Sequence, residues 1–300
     1  MVHYNPKIWF SMIFHAYSRA IMRTLTPVLI FMGVYSAFLC YLLLNILRIH
    51  ENDFHFTISM HTLLGIVLGL FLVFRTNSAY DRWWEGRKLW GSLVNNTRNF
   101  SFKLNAFLPE ADETNRTWFA QMISNLVIAL KEHLRNGVQM NELTDTEDGI
   151  FKKLESFQHK PNGISVFLYK QINELYKKQL ITNEQFFVLD KELKEFAEVI
   201  GACERIKTTP IPYSYTTYIK QFIFIYIITL PLGFLTTSGY FTVPIVVLVT
   251  FVLLSVELIA EEIEDPFGKD INDLPTDEIT IKIQKNVKEI LTPYQSTDKV

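Results

Sequence analysis

Few of the side chains able to do chemistry fall into a pattern that catalysis would need. His55 and His61 are six residues apart, off the i, i+4 face of a helical metal pair, and His133 and His159 stand isolated in the sequence. No glycine-rich phosphate loop or activated nucleophile is recognisable, so the sequence reads as no enzyme, with no cofactor and no metal. Charge and apolar spacing are patterned instead, most densely in HTLLGIVLGLFLVFRTNSAYDRWWEGRKLW, residues 61–90. Ile66, Leu70 and Phe74 recur at i, i+4 and i+8, one narrow apolar stripe on a helix. Gly65 and Gly69 lie beside it, where missing side chains let a neighbouring helix come close. A shoulder of charge follows at Arg75, Asp81, Arg82, Glu85, Arg87 and Lys88. Such a cluster could select ions, but buried or interfacial charge needs a partner, so most of these residues are expected to pair with one another and with neighbouring subunits. Trp83, Trp84 and Trp90 read as packing and interface anchors.

The elements that must position these residues are read from the distribution of charge. Hydrophobic residues make up 49% of the 300, with 24 Phe, and mean hydropathy is +0.13, a mixture of membrane segments and a polar part. A net charge of -2 gives no basic field for nucleic acid. The two cysteines, Cys40 and Cys203, suggest no disulfide framework. No charge occurs from Thr24 to Leu47, enough for about 30 Å of hydrocarbon, and Pro27 is expected in the first turn of that span. A second uncharged stretch runs from Phe54 to Phe74. The third, Gln221 to Val256, is too long for one helix and divides at a turn near Thr236 to Gly239, giving four transmembrane helices. Glu257, Glu261 and Glu262 continue the last span, and Glu257 is expected to face protein or water rather than lipid. Residues 1–23 read as an interfacial helix with Trp9, Phe10 and Tyr17 at headgroup level and Arg19 and Arg23 facing lipid phosphates. Residues 24–83 hold the first two spans, 84–215 a cytosolic helical region, 216–262 the last two spans and 263–300 a cytosolic tail. Arg75, Arg82, Arg87 and Lys88 close to the second span place that end, and both termini, on the cytoplasmic side.

The cytosolic region is helical in period throughout. Trp118, Met122, Leu126, Leu130 and Leu134 form a four-spaced stripe ending at Asn136-Gly137. A short helix between loops follows, then a helix over about Ile164 to Leu180. The next opens on the capping-box spacing Thr182-Asn-Glu-Gln185 and runs to near Ile206. The fold class is therefore all-α, a helical bundle continuous with membrane helices. A secondary transporter would show internal repeats and mid-membrane charge, and neither is present.

Three stretches, FRTNSAYDRWWEGRKLWG, GACERIKTTPIPYSY and AEEIEDPFGKDINDLP, stand in order against the spans. Together they resemble the bestrophin family of ion channels, most closely its bacterial branch, over essentially the whole chain. That resemblance implies a homopentamer around one axial pore in the bacterial inner membrane, passing monovalent ions. It assigns Ile66, Leu70 and Phe74 to a hydrophobic neck, where apolar rings can close the path by dewetting. It also implies a second constriction at the start of a vestibule helix, at Glu184, or at Asn183 or Gln185 if the alignment shifts by one residue. Five copies of Glu184 would make an acidic ring favouring cations. Relatives in animals and plants conduct anions and a bacterial one conducts cations; the Glu184 ring tilts the expectation slightly towards Na⁺/K⁺, with a chloride channel as the alternative. The third motif corresponds to an acidic cluster that binds calcium in some members. Here Asp265, Asp270 and Asp273 are accompanied by Lys269 and Asn272, a poor set for Ca²⁺, which prefers several anionic oxygens. Asp270 and Asp273 are expected to cap or brace the tail.

Overall fold

A computed structural model describes residues 16–47, 58–146 and 149–292. It contains nine α-helices among those residues and no strand. The chain forms two compact units. One comprises the described parts of Met1–Trp83 with Pro210–Asp265 and Asp270–Asn272; the other comprises Trp84–Thr209, Pro266–Lys269 and the described part of Asp273–Val300.

The first unit is built from α1 (Ala16–Tyr41), the start of α2 (Ile58–Phe107), α7 (Tyr213–Ser238) and α8 (Thr242–Glu264). Long uncharged runs adopt this form because hydrocarbon offers no water to satisfy backbone groups, so each helix must satisfy its own. Among the described residues, three helical stretches are long and apolar enough to cross a membrane: Ile21–Ile46, Ser59–Phe107 and Tyr213–Glu264. The last is two helices, because the chain reverses at Gly239, whose φ of +54° suits glycine. Lys220 Nζ thereby reaches Glu261 Oε2 at 3.1 Å, whereas 41 intervening steps of straight helix would separate them by about 60 Å. Four apolar helices result, divided where the sequence suggests. Their shared core is Met32 of α1, Leu68 and Leu72 of α2, Ile219, Ile223, Tyr226, Ile227 and Leu230 of α7 and Val246 of α8.

One proline departs from expectation: Pro27 lies inside α1 rather than in its first turn, and Pro231 is likewise buried inside a helix, α7. Neighbouring helices and hydroxyls can stabilise such a helix; here the Tyr35 hydroxyl donates to the Ile228 carbonyl at 3.2 Å, and Thr229 donates to Ile225 at 2.8 Å. A five-residue π-helical turn, Leu42–Ile46, ends the first span. The expected interfacial roles of Trp9 and Phe10, and the position of His55, fall outside the described residues.

The second unit contains the remainder of α2 with α3 (Glu113–His133), α4 (Ile150–Glu155), α5 (Lys160–Lys177), α6 (Asn183–Thr208) and α9 (Thr276–Leu291). The stripe Trp118, Met122, Leu126, Leu130 and Leu134 is buried throughout, and Phe100 meets Phe119 and Phe196 edge-on at ring separations of 6.1 and 5.5 Å. The capping box closes as its spacing predicts: Gln185 N–H donates to Thr182 Oγ1 at 3.3 Å, and Thr182 N–H donates to Gln185 Oε1 at 2.9 Å. Helix α9 was not expected. Thr276, Thr280, Ile283, Val287 and Leu291 line its buried face, a spacing of four, three, four and four that was legible in the sequence.

Candidate ion-conduction surface and its charged end

Helix α2 presents opposite faces to opposite surroundings. His61, Leu68, Leu72, Arg75 and Ala79 are buried within the first unit, the i, i+3/i+4 rhythm of a packed helix face. Ile66, Leu70 and Phe74 lie on another face and keep 66, 57 and 54% of their surface exposed. They form the single apolar stripe that their spacing predicts. Of the two glycines beside it, Gly65 lets α7 approach: an added Cβ would lie 2.8 Å from Tyr226 Oη. Gly69 differs from expectation, since an added Cβ there meets nothing within 4 Å.

The charged shoulder pairs across helices rather than along its own. Arg75 is fully buried, with Nη2 at 2.7 Å from Glu264 and Nε at 3.6 Å from Glu257, both on α8. The planar guanidinium fork reaches both carboxylates from one buried position. Arg82 Nε donates to the Glu264 carbonyl at 3.0 Å, and Trp83 Nε1 donates to that of Asn272 at 2.9 Å. Glu264 also accepts the Ile211 N–H at 2.8 Å. One carboxylate thus fastens the entry to α7 and the Arg75 end of α2. Glu257 is buried against protein, as its place at the end of a span requires. Asp81 is exposed.

In the second unit Glu85 accepts from Arg205 at 2.7 Å, where side chains exposed by 42 and 65% make the pair a weak tie. Gly86 is buried, and a Cβ there would lie 3.2 Å from Phe267 and Leu274, so the glycine admits the motif that follows the last span. Trp90 is fully buried, whereas Trp84 is exposed. Asp273 is buried, and its Oδ2 would lie 2.6 Å from a Cβ on Gly268. Arg135 donates to the Phe267 carbonyl and to Thr276 and Asp277, which ties this segment to α3 and α9. The Asp277 carboxyl is held well below the usual carboxylate range by hydrogen bonds from Arg135, which outweigh the penalty of burial, and Lys131 lowers it further. Asp265 and Asp270 are exposed.

Glu184 occupies the first turn of α6 and is fully exposed. Its carboxyl is lowered by hydrogen bonding to its own backbone N–H and then to Thr182, so it is ionised at neutral pH. Gln185 is committed to the capping box, and Asn183 is exposed beside Glu184.

The histidines correct an expectation. His133 and His159 are not isolated: their ring centroids are 4.4 Å apart, and both face the carboxylate of Glu204. Nothing in the local sequence announces this, because the three residues come from three different helix ends.

A family model described as Bacterial/Fungal Bestrophin protein matches residues 1–289. The chain is 37% identical over 230 residues, 75% of each chain, to a protein of Nostoc named as a voltage-dependent anion channel-forming protein. It is 31% identical to an Escherichia coli K12 protein of the same description, across 76% of this chain and 75% of that one. A crystal structure of a bacterial bestrophin homologue from Klebsiella pneumoniae superposes with a TM-score of 0.79 at 27% identity, covering 88% of this chain and 97% of that one.

Proposed function

The chain belongs to the bacterial and fungal bestrophin family, a family of membrane ion channels, and from that premise we propose that it forms a homopentamer around one axial pore and passively conducts monovalent anions. The observation that carries the pore assignment is the α2 face left open by the packing of the chain. Rings of Ile66, Leu70 and Phe74 would form a neck that an ion crosses only when water remains in it, since an ion stripped of water gains nothing from apolar side chains in return. Arg75 supports the neck from behind through Glu257 and Glu264 and is a structural cation rather than a selectivity filter. The anion reading rests on the descriptions of the relatives. In this reading the channel sits in a bacterial inner membrane with both termini cytoplasmic, and conduction itself requires neither calcium nor another cofactor.

A cation pore is the second reading, and one observation favours it: an ionised carboxylate stands fully exposed at the start of α6. Five such charges around an axis would repel anions, most strongly at low salt. The reversal potential of purified protein in a planar bilayer under an asymmetric KCl gradient separates the two. A value near the chloride equilibrium potential is expected. A value near that of potassium overturns the anion reading, and Glu184→Gln should then reduce the preference.

A further inference from the structure

We propose that His133, His159 and Glu204 form a zinc site within the helical unit. His133 is the last residue of α3, His159 is the N-cap of α5 and Glu204 lies near the end of α6. Their ligand atoms all lie within 4.8 Å of one another. His133 Nε2 is 2.9 Å from Glu204 Oε1, and His159 Nε2 contacts the same oxygen. The side chains are exposed by 30, 28 and 29%, open enough for an ion to enter and enclosed enough to hold its ligands. Two imidazoles and a carboxylate are a donor set that zinc takes, with a water completing the tetrahedron; hard cations prefer oxygen.

Geometry sets what binding must change. Tetrahedral ligands at zinc distances lie about 3.3 Å apart, so Glu204 must withdraw slightly from both rings to admit the ion. The hydrogen bonds also define the metal-free tautomer. His159 Nδ1 accepts the Asn162 N–H at 3.1 Å, so the ring proton sits on Nε2 and points at Glu204. Zinc at Nε2 moves that proton to Nδ1, which can no longer accept. Metal binding therefore ties the ends of α3, α5 and α6 together while releasing the side-chain cap of α5.

The test uses the full-length, tag-free chain in detergent, titrated with Co²⁺ and Zn²⁺. One Co²⁺ per chain, with visible d–d absorption of a four-coordinate site, displaced by Zn²⁺ and not by Mg²⁺, is expected. His133→Gln and Glu204→Gln should each weaken Zn²⁺ binding roughly tenfold or more. Hydrogen exchange at the Asn162 amide should accelerate on adding zinc, a response that zinc held elsewhere would not produce. X-ray absorption of the zinc-loaded native chain covers the case of a variant that folds poorly, and should show two imidazole nitrogens. Unchanged affinity in both variants, a coordination shell of oxygen alone, or no bound metal would each overturn the assignment.

Discussion

The two units both bury an apolar core but differ in what they leave outside and in which polar groups they enclose. In the membrane unit, Ile66, Leu70, Phe74 and many other large apolar side chains are exposed, while Arg75, Glu257, His61, Ser36 and Thr250 are buried. In the helical unit, Trp90, Phe100, Phe119, Leu126 and Phe196 are buried and the charged residues mostly line the surface. The difference teaches what each surrounding solvent demands. Where the outside is hydrocarbon or a dewetting pore, apolar groups gain little from going inside, and specificity falls to the few polar contacts. In water the apolar core carries stability, at about 25 cal/mol for each Å² removed from solvent.

The comparison is most exposed to failure at Arg75. Arg75→Ala leaves the buried Glu257 and the half-buried Glu264 without their cation and should cost about 3–5 kcal/mol, read as loss of folded protein on heating in detergent. Adding Glu257→Gln should restore part of that loss. A single variant as heat-stable as the native chain would show that polar contacts do not organise the membrane unit.

Identical chemistry should have opposite consequences in the two units. Phe196→Ala is expected to cost about 3–5 kcal/mol, because it opens a cavity beneath Phe100. Replacing Ile66, Leu70 and Phe74 together with Ala should cost on the order of 0.5 kcal/mol per residue, and should raise single-channel conductance by widening the neck. Unchanged current in the triple variant would remove these residues from the constriction.

The smallest effect is expected at Asp277. Its carboxyl is depressed in the folded chain, so the stability it contributes is present above the ordinary carboxylate range and lost as pH falls through the folded value. The advantage of the native chain over Asp277→Asn should be constant above about pH 5 and shrink below about pH 4. With the side chain 56% exposed, that advantage should be about 1 kcal/mol or less. An advantage that grew on acidification would reverse the sign of the argument.

By itself the sequence determined what is local and periodic. Uncharged runs located four apolar helices, because hydrocarbon tolerates nothing else along its depth. A stripe of four-residue spacing and a Thr-x-x-Gln spacing located α3 and the start of α6, because caps and helix faces involve neighbours three or four residues apart. The spacing of α9 was equally legible and lay hidden only behind the charged residues interleaved with it. Pro27 misled, because a proline inside a membrane helix is tolerated where neighbouring helices re-satisfy the backbone. The tertiary structure alone decided which carboxylates serve Arg75, that Gly65 and not Gly69 admits a neighbour, and that His133, His159 and Glu204 meet. Each of these depends on where the chain reverses, and contact between distant residues leaves no periodicity in the sequence to read.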